Sequence, residues 1–189
     1  VRSRRQRQMC IRDREKIIRV DQAGEVGAQQ IYEGQKLVFK LLKNERDLAE
    51  VTRMCEEEKE HLDYFNKLAR ERNVKPTKLS KLFDTGAFVM GVSTALMGSK
   101  AAYVCTEAVE EIIEEHYQQQ IDQLEGIDED VRKKIIKFQE DEVNHKNTAI
   151  DMGSKDAFGY KVLRKVINDT TKAAICLLYT SDAADDSLR

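Results

Sequence analysis

The chain has no tryptophan, one proline, nine glycines and only 6 % aromatic residues in 189 positions. So little turn-forming punctuation excludes a β-sandwich or barrel, whose short strands need a turn roughly every ten residues. Four cysteines, Cys10, Cys55, Cys105 and Cys176, show neither CxxC spacing nor a dense framework. That excludes a disulfide scaffold and a thiolate metal cluster, and it suits a reduced intracellular setting. No run reaches the ~20 apolar residues that a membrane-spanning helix needs, and the basic N-terminal stretch lacks the apolar core of a secretory signal. A formal charge of −2 exerts no overall pull on nucleic acid, so no nucleic-acid partner is expected. What the chain does have is 35 % charged residues interleaved with apolar ones, the mixture of long helices with solvated outer faces.

The two ends differ in kind from the rest. Arg4–Asp13 and Cys176–Asp185 can be back-translated into codons that make the two stretches reverse complements over almost their whole length, in different frames. The shared string resembles a widely used transposase sequencing adapter. The expectation is that residues 1–14 and 176–189 are translated adapter rather than native protein, and that one folded domain spans residues 15–175.

Within that span, Ile17, Ile18, Ile31, Leu37, Val38, Leu41 and Leu42 recur at near-helical spacing in a first long helix. Polar residues around Asn44 precede a second stripe, Leu48, Val51, Met54, Cys55, His61, Leu62, Phe65 and Leu68. This second helix is expected to stop before Pro76. Residues Thr77 to Gly98 read as a connection with its own apolar content. A third helix is predicted from about Ser99 to Leu124, a fourth from Glu129 to about Met152 and a fifth from about Ala157 to Ile175, with Gly126 and Asp128 turning the chain between the third and fourth. Two short-linked helix pairs joined by a long crossover make an all-α, ferritin-like four-helix bundle with an additional C-terminal helix.

Two of the three histidines sit three residues after a glutamate, in Glu58-Lys59-Glu60-His61 and Glu142-Val143-Asn144-His145. On a helix those positions share a face, so carboxylate and imidazole reach one site. Each pair has a matching glutamate on the preceding helix: Glu25 lies 33 residues before Glu58, and Glu110 lies 32 before Glu142. One Glu-x-x-His is no more than a common surface pair. Two of them, each with a matched partner, form a constellation. Glu25, Glu58, His61, Glu110, Glu142 and His145 are the predicted metal ligands, and carboxylate with imidazole suits iron or manganese. Of the run Glu56–Glu60, only Glu58 has the right offset; the rest reads as a solvated face. Glu111 would point about 100° away from Glu110. His116 lacks the motif; with Tyr117 it has either a supporting or proton-handling role beside the site or plain packing. Gly24 and Gly27 beside Glu25 fit either close approach by a ligand or tight helix packing.

Four strings, Asp21-Gln22-Ala23-Gly24-Glu25-Val26-Gly27-Ala28, Glu58-Lys59-Glu60-His61-Leu62, Ala108-Val109-Glu110-Glu111 with His116-Tyr117, and Asp141-Glu142 with His145, together resemble the demethoxyubiquinone hydroxylases. These are the di-iron monooxygenases of ubiquinone biosynthesis, and the resemblance runs from about Lys16 to Ile175. It implies two iron ions, one held by Glu25, Glu58 and His61, the other by Glu110, Glu142 and His145, with Glu58 and Glu142 bridging. It implies hydroxylation of a polyprenyl benzoquinol ring with dioxygen as co-substrate. Electrons would come from NADH or from the quinol itself, and no Gly-rich dinucleotide fingerprint decides between them. It further implies peripheral membrane association, at the cytoplasmic face of a bacterial cell membrane or the matrix face of the mitochondrial inner membrane. A lipid-binding partner protein or self-association would go with it. The uncharged run Thr85–Ser99, too short to span a bilayer, fits an interfacial segment or a buried one.

The alternative is an iron-oxidising storage protein on the same fold, which would need the ligands but not the apolar run. For the two ends, sequencing the gene from genomic DNA is expected to show codons that break off near residues 15 and 175; native codons continuing through both would end the adapter explanation.

Overall fold

The computed structural model describes residues 4–186, with side chains described for 13–180; Cys10 and the outermost residues of both adapter-like stretches fall outside that description. Among the described residues six α-helices follow in order: α1 (Arg4–Leu41), α2 (Glu45–Glu71), α3 (Ser80–Leu96), α4 (Ser99–Leu124), α5 (Glu129–Asp151) and α6 (Tyr160–Asp186), with a 3-10 turn at Ser154–Asp156. No strand occurs among the described residues. The ferritin-like expectation holds, and α1 and α6 run on past residues 15 and 175.

The helix ends have local causes. The Asn44 side chain accepts a hydrogen bond from the Asp47 N–H at the start of α2, and Asp128 does the same for Val131 at the start of α5. Between α1 and α2 the chain turns through Lys43 at φ 55°, and between α4 and α5 through Gly126 at φ 65°. These short links make α1–α2 and α4–α5 antiparallel hairpins. The hairpins stand against each other, α3 packs along α1, and α6 packs along α4.

Two buried clusters fill the bundle at opposite ends of the central residues. One gathers Ile18, Phe65, Tyr117, Ile135 and Phe138; the other gathers Tyr32, Phe39, Val51, Met54 and Tyr103. Not every residue of the predicted first stripe joins them. Val38 is buried, but Leu37, Leu41 and Leu42 are exposed.

The largest departure from the sequence expectation is the connection 77–98, most of which is helix α3. Its glycines and β-branched residues have low helix propensity, and its uncharged run shows no polar face to mark a period. It is buried on one side only, through Gly91, Thr94 and Ala95; on the other, Leu82, Val89 and Leu96, spaced by seven, are all more than half exposed, with Met97 beside them. No helix among the described residues is long and apolar enough to cross a membrane.

Packing of α3 on α1 is a backbone contact. A Cβ on Gly91 would run into the carbonyl oxygen of Ile31, and one on Gly34 would lie 2.5 Å from the Phe88 oxygen. Both obstacles are main chain and cannot rotate away. Alanine at position 91 gains about 1 kcal/mol of helix propensity but forces the helices apart, an overpacking cost of about 1–3 kcal/mol. Gly91→Ala is therefore expected to lower the melting temperature by several degrees in a thermal scan, whereas Gly86→Ala, with nothing within 4 Å of its added carbon, should not.

Candidate metal centre

The six predicted ligands come from α1, α2, α4 and α5, one glutamate each from α1 and α4 and a Glu-x-x-His pair from α2 and from α5. All six are buried, none more than 3 % exposed. They form two overlapping sets. Ligand atoms of Glu25, Glu58, His61 and Glu142 lie within 4.8 Å of one another, and so do those of Glu58, Glu110, Glu142 and His145. Glu58 and Glu142 belong to both.

The histidines are oriented from outside. His61 Nε2 donates to Asp141 on α5 at 3.2 Å, and His145 Nε2 donates to Glu57 on α2 at 2.9 Å. Each carboxylate directly precedes the shared glutamate of its helix and crosses to the other hairpin's histidine. With Nε2 committed outward, Nδ1 faces inward: His61 Nδ1 lies 3.1 Å from Glu142, and His145 Nδ1 lies 2.8 Å from Glu58. This is how second partners orient metal-ligating histidines. The Phe138 ring covers His61 at 4.0 Å between centroids.

Tyr117 on α4 donates to Glu25 Oε1 on α1, and Tyr32 on α1 donates to Glu110 Oε1 on α4 at 2.8 Å. Burial pushes both phenols well above their usual range, so they remain protonated donors. Tyr117 therefore touches one of the six residues directly, through the Glu25 carboxylate. His116 does not touch the six residues: it lies 2.7 Å from the Gln120 amide and 3.4 Å from Asp21, one turn before Glu25.

Sequence reasoning missed Tyr32, Asp141 and Glu57, the last having been counted in a solvated run. A signal for them existed. Tyr32 follows Glu25 by seven residues as Tyr117 follows Glu110, and an acidic residue precedes both Glu58 and Glu142. Gly24 and Gly27 also resolve: an added Cβ at either would meet nothing within 4 Å, so tight helix packing does not require them.

The polar atoms left over define what the centre accepts. Glu25 Oε2, Glu110 Oε2, both oxygens of Glu58 and of Glu142, and Nδ1 of both histidines are buried and have no hydrogen-bond partner outside their own group, where they face one another. Buried polar groups are normally satisfied. Eight bare donors converging from hard carboxylates and imidazoles fit a pair of divalent cations of the iron or manganese type, with Glu58 and Glu142 between them.

Without such charge the groups fight. Burial raises Glu25, and the neighbouring Glu58 and Glu142 raise it further; burial with Glu142 and Glu58 likewise raises Glu110. Burial alone would lower His61 and His145, but contacts to Glu142 and Glu58 outweigh it and push both up to about 12. Glu58 shows the reverse: burial would raise it, yet the two imidazoliums hold it well below the carboxylate range. In the metal-free protein, protons therefore stand where cations fit.

A family model described as ubiquinone biosynthesis protein COQ7 matches residues 12–178. A Caenorhabditis elegans protein, named NADPH-dependent 3-demethoxyubiquinone 3-hydroxylase, mitochondrial, is 38 % identical over 167 residues, 86 % of this chain and 88 % of its own length. A Dictyostelium discoideum protein of the same name is 42 % identical over 166 residues, 86 % of this chain and 75 % of its own. A Rhodospirillum rubrum protein named 3-demethoxyubiquinol 3-hydroxylase is 37 % identical over 161 residues, 85 % of this chain and 75 % of its own.

The raised groups set a pH dependence. Histidines with raised folded pKa values give stability that is full below about 6.5 and is lost as pH climbs toward about 12. Raised Glu25 and Glu110 act in the same direction, since above the ordinary carboxylate range they must hold a proton or bear a buried charge. The metal-free protein is expected to melt lower at pH 9 than at pH 6. A saturating divalent cation should displace the protons and narrow that difference; an apo protein equally stable at both pH values would contradict it.

Proposed function

We propose, for a chain that belongs to the COQ7 family of ubiquinone biosynthesis proteins, that it hydroxylates the ring of a demethoxyubiquinol at a di-iron centre held by Glu25, Glu58, His61, Glu110, Glu142 and His145. The observation that carries the metal assignment is the set of eight buried, unpartnered donors around two overlapping positions. Glu25 and His61 would hold one ion and Glu110 and His145 the other, with Glu58 and Glu142 shared. Family membership sets aside the iron-storage alternative.

Two iron ions, when bound, supply the reduction of dioxygen that a carboxylate and imidazole site has no means to perform alone. Across the reaction a ring C–H becomes C–OH, the second oxygen atom leaves as water, and the donor gives up two electrons. A reduced nicotinamide nucleotide is our choice of donor over the quinol, because the nematode and slime-mould relatives are named NADPH-dependent.

The protein's own part is to hold, orient and dry. Asp141 and Glu57 keep the imidazole Nδ1 atoms inward, and Phe65, Phe138 and Tyr117, each 1 % exposed or less, close one end against water. The unfilled space beside Gly24 and Gly27 supports approach of a ligand along α1 next to Glu25. The exposed stripe Leu82, Val89 and Leu96 on α3 supports peripheral contact with the lipid that carries a polyprenyl substrate. We place the protein accordingly, at the matrix face of the mitochondrial inner membrane or the cytoplasmic face of a bacterial one.

Anaerobic loading with ferrous iron, followed by a demethoxyquinol, a reduced nicotinamide and isotopically heavy dioxygen, is expected to yield a product carrying one heavy oxygen by mass spectrometry. Glu142→Ala, which removes a shared carboxylate, should fall to background. Unchanged substrate from fully metallated protein would refute the hydroxylase assignment.

A further inference from the structure

The two outer glutamates are half-occupied. Glu110 spends Oε1 on the Tyr32 phenol and leaves Oε2 bare; Glu25 spends Oε1 on Tyr117 and leaves Oε2 bare. Glu58 and Glu142, by contrast, have both oxygens bare. So the residues that belong to both ligand sets offer two oxygens, and those that belong to one set offer one. The tyrosines responsible are reciprocal. Tyr32 leaves α1 for the α4 glutamate and Tyr117 leaves α4 for the α1 glutamate, each seven residues after the glutamate of its own helix.

We infer that Tyr32, with Tyr117 as its counterpart, is a positioning residue that limits the outer glutamate to one metal-binding oxygen. A carboxylate free at both oxygens can chelate one cation through both. A phenol donating to Oε1 opposes that by holding the oxygen in a hydrogen bond that turning toward the metal would break. One coordination position on each ion is thereby kept from the protein and left to exogenous ligand, which an oxygen-activating site requires. This assignment rests on the dinuclear reading above and adds to it a specific duty for two side chains.

Cobalt(II) is the probe, since its visible absorbance weakens as coordination number rises. The wild-type chain, Tyr32→Phe, Tyr117→Phe and Tyr103→Phe are each loaded anaerobically with cobalt and assayed for bound metal, visible spectrum and melting temperature. Tyr103 is the control: its hydroxyl is bonded to Asp47, outside the six ligands and their partners. Both Tyr32→Phe and Tyr117→Phe are expected to bind two cobalt ions with a loss of visible absorbance per cobalt, as the freed oxygen joins the ion. Tyr103→Phe should keep the wild-type spectrum even if it melts lower.

Two cobalt ions with an unaltered spectrum in Tyr32→Phe overturns the inference while leaving the dinuclear centre standing. No cobalt in the wild-type chain overturns both. Should Tyr32→Phe fail to fold, Tyr117→Phe decides alone, because the same loss is required of it. A spectral loss in Tyr103→Phe equal to the others would reduce the effect to general loosening, and that too overturns it.

Discussion

Four carboxylates packed between two hairpins, out of reach of water, are the constraint around which the bundle is built. At 4.8 Å or less, two such charges repel by roughly 3 kcal/mol at an effective dielectric near 20. Were all three in one ligand set ionised and uncompensated, their mutual pairs would approach about 10 kcal/mol, the size of a domain's whole net stability, which is why protons or cations must sit among them. The bundle has to be held from elsewhere. Phe65, Phe138 and Tyr117 at one end and Phe39, Met54 and Tyr103 at the other supply apolar burial, while α3 and α6 brace the flanks of α1 and α4. On α4 the brace is partly polar: buried Glu107 accepts from Tyr160 at 2.6 Å and from Ser154, and Arg164 clasps Glu111. Packing at the two ends and along the flanks thus holds the centre together, and Tyr117 and Phe138 also touch it, at Glu25 and His61.

The molecule answers that constraint twice over. Helices α1, α2 and α3 form one half and α4, α5 and α6 the other, each with two hairpin helices and a third packed along the first. Glutamate, tyrosine, acidic residue, glutamate and histidine recur in the same order in both. The bonds between them run across the halves: Tyr32 to Glu110, Tyr117 to Glu25, His61 to Asp141, His145 to Glu57. Neither half alone can satisfy its own site, so the centre exists only when the hairpins meet. The halves differ at the edges. Buried Asp21 and Gln120 form a polar cluster with half-buried His116 one turn before Glu25, whereas Thr106, four residues before Glu110 as Asp21 is before Glu25, has an unpartnered hydroxyl. The two metal positions are consequently alike in their ligands and unlike in their surroundings.

The ligands were legible because a helix converts spacing into direction. Glu58 with His61 and Glu142 with His145 announce a shared face at one turn, and repetition at 33 and 32 residues separates them from the many other glutamates. Tyr32 and Asp141 were not legible by that rule, since their partners lie on another helix and only the repeat of the whole pattern singles them out. Glu57 was harder still: its side chain is 46 % exposed, and nothing in the run Glu56–Glu60 distinguishes a carboxylate that reaches inward from its solvated neighbours. Helix α3 escaped for the opposite reason. Amphipathic patterning needs a polar face, and on α3 the exposed positions include Leu82, Val89 and Leu96 while the polar residues are too few to mark a period.

That same helix joins the surface to the centre in a way no propensity records. Gly91 brings α3 against the backbone of Ile31, and Ile31 is the immediate neighbour of Tyr32. Contact through main chain leaves no flexible side chain to absorb a displacement, since packed interiors transmit strain rather than dissipate it. Leu82, Val89 and Leu96 thus stand on a rod whose inner face meets α1 next to the tyrosine bonded to Glu110. The apolar surface and the metal ligands lie on different helices, yet the backbone contact of α3 and the tyrosine bonded to Glu110 fall at adjacent residues of α1, Ile31 and Tyr32.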